Sequence, residues 1–174
     1  MKILFVYTDV NVRGGAQSYQ FGIGQISAML RKHGHECRLH YMFGSCNTAP
    51  LLETIDRFKP DLIAFSAVSP QYHYVRDVLA ALPENHPFTL LGGHHATLCH
   101  DCLGESPNLD AICIGEGDYP TLELVESMKD GKPADNIKNL WIKKPGGSIV
   151  KNPTRPFTED LDSLPFPDRE LFDT

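Results

Sequence analysis

Short apolar runs and longer stretches with helical spacing alternate along the first three quarters of the chain. The β-branched and aromatic run at residues 2–8 predicts a strand, and apolar residues at three- and four-residue spacing within 17–33 predict a helix that ends at Gly34. The same alternation predicts further strands at 36–41, 61–66, 88–91 and 111–114, and further helices at 50–58, 71–82, near 96–103, and at 119–129.

Strands and helices that alternate at this spacing predict an α/β fold. We expect a flavodoxin-like (Rossmann-like), doubly wound, five-stranded parallel sheet with helices on both faces, formed by residues 1–132. After Gly131 the pattern changes: residues 139–143 and 148–151 flank Pro145-Gly146-Gly147, which predicts a small C-terminal β-hairpin within residues 133–151. The Pro-rich, acidic segment 152–174 predicts an extended linker.

Composition excludes several classes of function. The 174 residues suit one domain with a modest extension, and a formal charge of −6 without a basic run argues against nucleic acid as a partner. Every apolar stretch is far shorter than the roughly 20 residues that a membrane helix needs, so we expect a cytoplasmic protein without a membrane partner. Five scattered cysteines predict reduced thiols rather than a disulfide framework.

The loops at the carboxyl ends of the predicted strands are the candidate binding site, because sheets of this type bind ligands there. Glycine pairs or triplets occur in three of these loops, 9–15, 92–97 and 115–118, where they would let a bulky ligand approach the backbone. The alternative is that these glycines only form tight turns. In the fourth loop, 66–71, small hydroxyl side chains could bond a ligand, or Ser69-Pro70 could merely begin the next helix.

Three motifs occur in order along the second half of the chain: LGGHHAT at 91–97, IGEGD at 114–118, and LDSLPFPDR at 161–169. Together they closely resemble the amino-terminal half of cobalamin-dependent radical S-adenosylmethionine enzymes, in which the third motif leads into the catalytic barrel. The predicted alternation before Gly92 also matches the cobalamin domain of that family. The resemblance therefore covers nearly the whole chain.

The resemblance implies that residues 1–132 bind cobalamin and that residues 152–174 lead toward a radical S-adenosylmethionine barrel. Catalysis in that family needs a C-x-x-x-C-x-x-C motif for the iron-sulfur cluster, and this sequence has no such spacing. The chain alone is thus not expected to cleave S-adenosylmethionine, and no catalytic residue is assigned to it. The implied activity of the whole enzyme is methyl transfer or a related radical reaction.

The resemblance also implies the cofactor-binding residues: Thr8, Asn11, Gly14, Gly15, Ser66, Ala67, Val68, Ser69, Gln71, Gly92, Gly93, His94, His95, Ala96, Gly115, Glu116 and Gly117. Other cobalamin domains carry D-x-H-x-x-G on the first loop, and the histidine replaces the lower axial base of cobalt. At the matching place this chain has Asp9 and Gly14, but Asn11 takes the position of the histidine. An amide is a poor cobalt ligand, so we expect base-off binding without a protein histidine on the metal.

Other ligands and roles are possible for these residues. A flavodoxin-like module that binds FMN or a receiver that accepts phosphate could share the sheet, although a receiver needs an aspartate where this chain has Ser66. A dinucleotide site is disfavoured because Gly22-Ile23-Gly24 lacks the third glycine. Cys99 and Cys102 with nearby histidines could bind zinc, but we expect both thiols in a helix as small apolar residues. A pure interaction module is the remaining alternative.

Overall fold

The computed structural model describes residues 1–10 and 18–173. The strands are β1 (Lys2–Val10), β2 (Glu36–Gly44), β3 (Leu62–Ser66), β4 (Phe88–Gly92), β5 (Ala111–Cys113), β6 (Leu140–Lys143) and β7 (Ile149–Lys151). The α-helices are α1 (Phe21–Lys32), α2 (Ala49–Phe58), α3 (Tyr72–Ala81), α4 (His94–Leu98), α5 (Cys102–Glu105) and α6 (Asp118–Lys129). Short 3-10 turns lie at Ser69–Gln71, Leu161–Ser163 and Glu170–Phe172.

One sheet contains all of these strands, in the order β2-β1-β3-β4-β5-β6-β7. The first five strands are parallel, and β6 and β7 add to the β5 edge in antiparallel orientation. The predicted flavodoxin-like α/β fold is therefore confirmed, since the parallel strands have the order 2-1-3-4-5. The hairpin is part of the same sheet, which brings the strand count to seven rather than five.

The sheet is buried on both faces, as parallel sheets are. On one face, Leu4 and Val6 of β1 belong to a core that includes residues of α2, α3 and α5. On the other face, Ile3 and Phe5 belong to a core that includes residues of α1 and α6. Because β1 and β3 are covered on both sides, they are apolar along nearly their whole length. No helix in the described part of the chain is long and apolar enough to cross a membrane.

The prediction of a single helix near 96–103 is wrong in detail, because two short helices occupy this region. The amide of Cys99 donates to the carbonyl of His95 at the end of α4, and the extended backbone of Cys99 (φ −128°, ψ 73°) interrupts the helix before α5 begins. Ala96 and Leu103 are nevertheless both fully buried in the same core. Their helical spacing therefore reflects two helices that pack on one surface.

The tail after β7 contains only two three-residue turns, but it packs against α1. Asp168 is central to this contact: its amide donates to the carbonyl of Gly24, and its carboxylate accepts a hydrogen bond of 2.6 Å from Ser27 and forms an ion pair of 3.1 Å with Arg31. Leu171 is 2% exposed and belongs to the core between the sheet and α1. The sequence predicts an extended segment here but not this docking.

Candidate functional site

The parallel strands bring their loops to one edge of the sheet, the carboxyl edge, which lies beyond Ser66, Gly92 and Cys113. The loops after β3, β4 and β5 are described and do meet there through hydrogen bonds. Three of the predicted site residues, Asn11, Gly14 and Gly15, lie outside the described residues.

The loops after β3 and β4 contact each other through their backbones. The amide of Ala67 donates to the carbonyl of Gly92 (3.2 Å), and the amide of His95 donates to the carbonyl of Ala67 (3.0 Å). Gly93 lies at the closest point, with φ of +88°, and a Cβ built there would be 2.8 Å from the oxygen of Ala67. Both the backbone conformation and the lack of space require glycine at this position.

Thr97 joins the loops after β4 and β5. Its hydroxyl donates to the carbonyl of Gly93 (3.1 Å) and accepts from the amide of Gly115 (3.0 Å). The glycine motifs at 92–93 and 115–117 are thus brought together by a side chain that was not among the predicted site residues. Ala96, which was among them, is fully buried in the core and does not face solvent.

The two histidines of the second motif differ in environment. His94 is exposed, whereas His95 is 8% exposed and its ring stacks on Tyr72 with centroids 3.9 Å apart. Nδ1 of His95 lies 3.1 Å from Oγ of Ser69, and burial lowers the pKa of the ring, so His95 is neutral near pH 7. The ring of His95 is therefore held between α3 and α4, which joins the loops after β3 and β4 on that flank.

Three buried side-chain atoms in this region have no hydrogen-bond partner within the described structure: Oγ1 of Thr8, Oε1 of Gln71 and Nε2 of His95. Unpaired buried polar atoms cost free energy unless a ligand or water bonds them. Nearby, Val68, Ser69 and Glu116 are exposed to solvent. Oγ1 of Thr8 and Oε1 of Gln71 could each accept a hydrogen bond, and Nε2 of His95 could donate or accept one, depending on its tautomer.

A tyrosine that the sequence did not single out organises the start of the first loop. The hydroxyl of Tyr41 donates to the buried carboxyl of Asp9 (2.6 Å), and its oxygen accepts from the amide of Ser18 (3.0 Å). This network connects the end of β1 to the segment before α1 through a side chain of β2. Its only signal in the sequence is the position of Tyr41 at the carboxyl end of the second strand.

A zinc site at Cys99 and Cys102 finds no support in the geometry. Cys102 lies buried in α5, where burial raises the pKa of its thiol to about 11, whereas Cys99 is exposed and lies between α4 and α5 rather than in a helix as expected. Among residues 1–10 and 18–173, no group of three or more His, Cys, Asp or Glu side chains could hold a metal ion.

Comparisons with known proteins show the family of this domain. The model of the B12 binding domain family matches residues 7–125. The chain is 34% identical, over 94% of its length, to an anaerobic magnesium-protoporphyrin IX monomethyl ester cyclase of Rubrivivax gelatinosus, and it covers 32% of that protein. It is 25% identical, over 98% of its length, to an uncharacterized methyltransferase of Pyrococcus horikoshii, of which it covers 39%.

A solved structure shows the same fold. The chain superposes with a TM-score of 0.80 on OxsB, a cobalamin-dependent S-adenosylmethionine radical enzyme with aqua-cobalamin and S-adenosylmethionine bound, at 17% identity over 98% of this chain and 24% of that one. The chain spans about a third of the length of the two curated relatives named above. Because the family model covers more than half of the sequence, this chain belongs to the B12-binding domain family.

Proposed function

We propose that this chain binds cobalamin base-off across the carboxyl edge, as the cofactor domain of a longer radical S-adenosylmethionine enzyme that transfers a methyl group. The observation that carries the proposal is the family match over residues 7–125, which includes every described loop of the edge. The similar proteins named as a methyltransferase and as a cobalamin-dependent radical enzyme support the wider role. Cobalamin would supply the cobalt that carries the methyl group between its donor and the substrate.

The residues of the edge fit such a ligand. Gly92 is half-buried and Gly115 is exposed, so a large flat ring and its amide side chains could approach the backbone at both positions. Thr8 and Gln71 each have a buried side-chain oxygen without a partner among the described residues, and Ser69, whose hydroxyl contacts His95, is exposed. We assign the remaining predicted residues of these loops to the same surface, together with Asn11, Gly14 and Gly15 of the first loop.

The most specific part of the proposal is that no protein side chain binds the cobalt. Asn11 stands where other cobalamin domains place a histidine, and an amide is a weak ligand for cobalt. His95 is held by its stack on Tyr72 and by Ser69, so it would have to leave its buried position to reach a metal. His94 is exposed and is the other histidine of that loop.

Electron paramagnetic resonance of the bound cofactor, reduced to cob(II)alamin, tests this assignment. A nitrogen ligand splits the cobalt signal, so the unmodified chain and the variants His94→Ala and His95→Phe should all lack that splitting. The variant Asn11→His should gain it, because imidazole is a good cobalt ligand at that position. Nitrogen splitting in the unmodified chain that disappears in His94→Ala or His95→Phe would contradict base-off binding without a protein ligand.

A further inference from the structure

Asn139 connects three segments beside the carboxyl edge. It directly precedes β6, which runs antiparallel to β5, so it lies next to the end of β5. Its amide donates to Pro153 (3.0 Å) and its carbonyl accepts from Ile114 (2.8 Å). Its side chain donates from Nδ2 to the carbonyl of Glu116 (3.3 Å) and accepts at Oδ1 from the amide of Arg155 (2.7 Å).

The backbone of Asn139 has φ of +73°, a left-handed conformation that glycine adopts more easily than any other residue. The residue is 3% exposed, so its amide side chain is also removed from water. Glycine would adopt this backbone conformation at a lower cost in free energy, so a simple turn would favour glycine at this position. The side-chain bonds to Glu116 and Arg155 give a physical reason for asparagine here, because both the NH2 group and the oxygen of its side-chain amide find partners.

The bond to Glu116 acts on a loop of the proposed cobalamin site. Gly115 has φ of +77°, and its amide is held from the other side by the hydroxyl of Thr97. The loop 115–117 is therefore fixed by Thr97 on the side of β4 and by Asn139 on the side of β6. Without Asn139, the one side-chain contact that the carbonyl of Glu116 would keep among the described residues is a long one from the thiol of Cys113, at 3.8 Å.

We propose that Asn139 is a positioning residue of the cobalamin site, which holds the backbone of 115–117 in the conformation that meets the cofactor. This inference rests on the proposed function, since it assumes that cobalamin binds at this edge. Asn139 does not itself need to touch the cofactor. Asn139 also ties the loop to the tail, because its side chain bonds both Glu116 and Arg155. The guanidinium of Arg155 in turn forms a two-bond ion pair with Glu123 of α6 (3.1 and 2.9 Å).

The variant Asn139→Asp isolates the bond to Glu116. A carboxylate keeps the acceptor for Arg155 but replaces the Nδ2 donor with an oxygen that repels the carbonyl of Glu116. We expect hydroxocobalamin to bind about tenfold more weakly near neutral pH, measured by absorption titration of the purified chain. The matched control is Asn108→Asp, which removes an Nδ2 bond of 2.8 Å to Leu79 at the opposite edge of the sheet and should leave the affinity within about twofold.

The pH dependence separates positioning from a general loss of stability. A buried aspartate has a raised pKa, and its protonated form regains an O–H donor toward Glu116. Relative to the unmodified chain, Asn139→Asp should therefore recover affinity as the pH falls from about 7.5 to about 5.5, while Asn108→Asp should not. If Asn139→Asp does not fold, Asn139→Gly removes both side-chain bonds, to Glu116 and from Arg155, without left-handed strain, and it should also bind about tenfold more weakly.

The results distinguish this inference from the proposed function. If the unmodified chain binds cobalamin and folded Asn139→Asp or Asn139→Gly binds it as tightly, Asn139 has no positioning role. Equal losses of affinity in Asn139→Asp and Asn108→Asp, without recovery at lower pH, would also overturn the inference. Failure of the unmodified, folded chain to bind cobalamin would instead overturn the proposed function.

Discussion

The loops after β3 and β4 and the tail after β7 are attached to the domain in different ways. The two loops meet backbone to backbone, and the contact at Gly93 leaves no room even for one methyl group. The end of the tail is held by side chains: the carboxylate of Asp168 bonds Ser27 and Arg31 of α1, and Leu171 is buried in the core beside that helix. Steric limits thus shape the carboxyl edge, whereas a buried carboxylate and an apolar side chain hold the end of the tail, so the two regions should respond very differently to substitution.

The largest expected effect is that of Gly93→Ala. The added methyl group would contact the carbonyl oxygen of Ala67 at 2.8 Å in a backbone conformation that is essentially restricted to glycine. We expect the free energy of unfolding to fall by about 3 kcal/mol and cobalamin binding to be lost, measured by urea denaturation and absorption titration.

The neighbouring Gly92→Ala is the matched control for this substitution. Its Cβ would lie 3.8 Å from the nearest atom, a backbone oxygen of Phe65, and its φ is not in the left-handed range. The change should cost less than about 1 kcal/mol. Equal effects of the two substitutions would contradict the view that steric limits at Gly93 define the edge.

Asp168→Ala should have the next largest effect, but without loss of cofactor affinity. It removes an acceptor of hydrogen bonds from Ser27 and Arg31 whose side chain is only 8% exposed, so we expect a loss of about 2 kcal/mol in the free energy of unfolding. Limited proteolysis should cleave the tail faster than in the exposed control Glu170→Ala. Unchanged cleavage would show that Asp168 is not the anchor, and a large loss of cobalamin affinity would link the two regions.

The smallest expected effect is a pH dependence that comes from His95. Burial lowers the pKa of His95 in the folded chain, so the unfolded chain takes up its proton first as the pH falls. The contribution of this residue to stability is therefore lost as the pH falls below about 6.5. His95→Phe keeps the ring on Tyr72 and should flatten the stability profile between about pH 7 and pH 5, whereas the exposed neighbour His94→Gln should not. An unchanged profile in His95→Phe would contradict this assignment.

The regular elements could be predicted from the sequence because each buries a face against the sheet. The apolar positions of β1, β3 and α1 follow directly from that burial, and the glycine motifs at 92–93 and 115–117 lie in two loops that Thr97 joins. The same reasoning failed near 96–103, because a shared core gives two short helices the spacing of one long helix. The sequence also predicts the hairpin only as an extension of the domain, because no local pattern reveals that β6 pairs with β5.

The polar contacts between distant segments could not be predicted from the sequence alone. Asp168 binds a helix about 140 positions earlier in the chain, and Tyr41 bonds Asp9 across 32 positions. Asn139 is a single asparagine before a strand, and its bonds reach two other segments, the loop after β5 and the tail. Such bonds follow no periodicity, so they become visible only once the fold has brought their partners together.

Retention of hydroxocobalamin by the purified chain tests the central claim most directly. The chain is incubated with the cofactor and desalted, and its absorption spectrum is recorded before and after reduction, with Gly93→Ala and Gly104→Ala in parallel. Gly104 lies in α5, and a Cβ there would meet no atom of the described residues within 4 Å. The account predicts retained cobalamin with a base-off spectrum after reduction in the unmodified chain and in Gly104→Ala, and none in Gly93→Ala. A folded, unmodified chain that retains no cobalamin, or Gly93→Ala that retains as much as the unmodified chain, would contradict a cobalamin site at this edge.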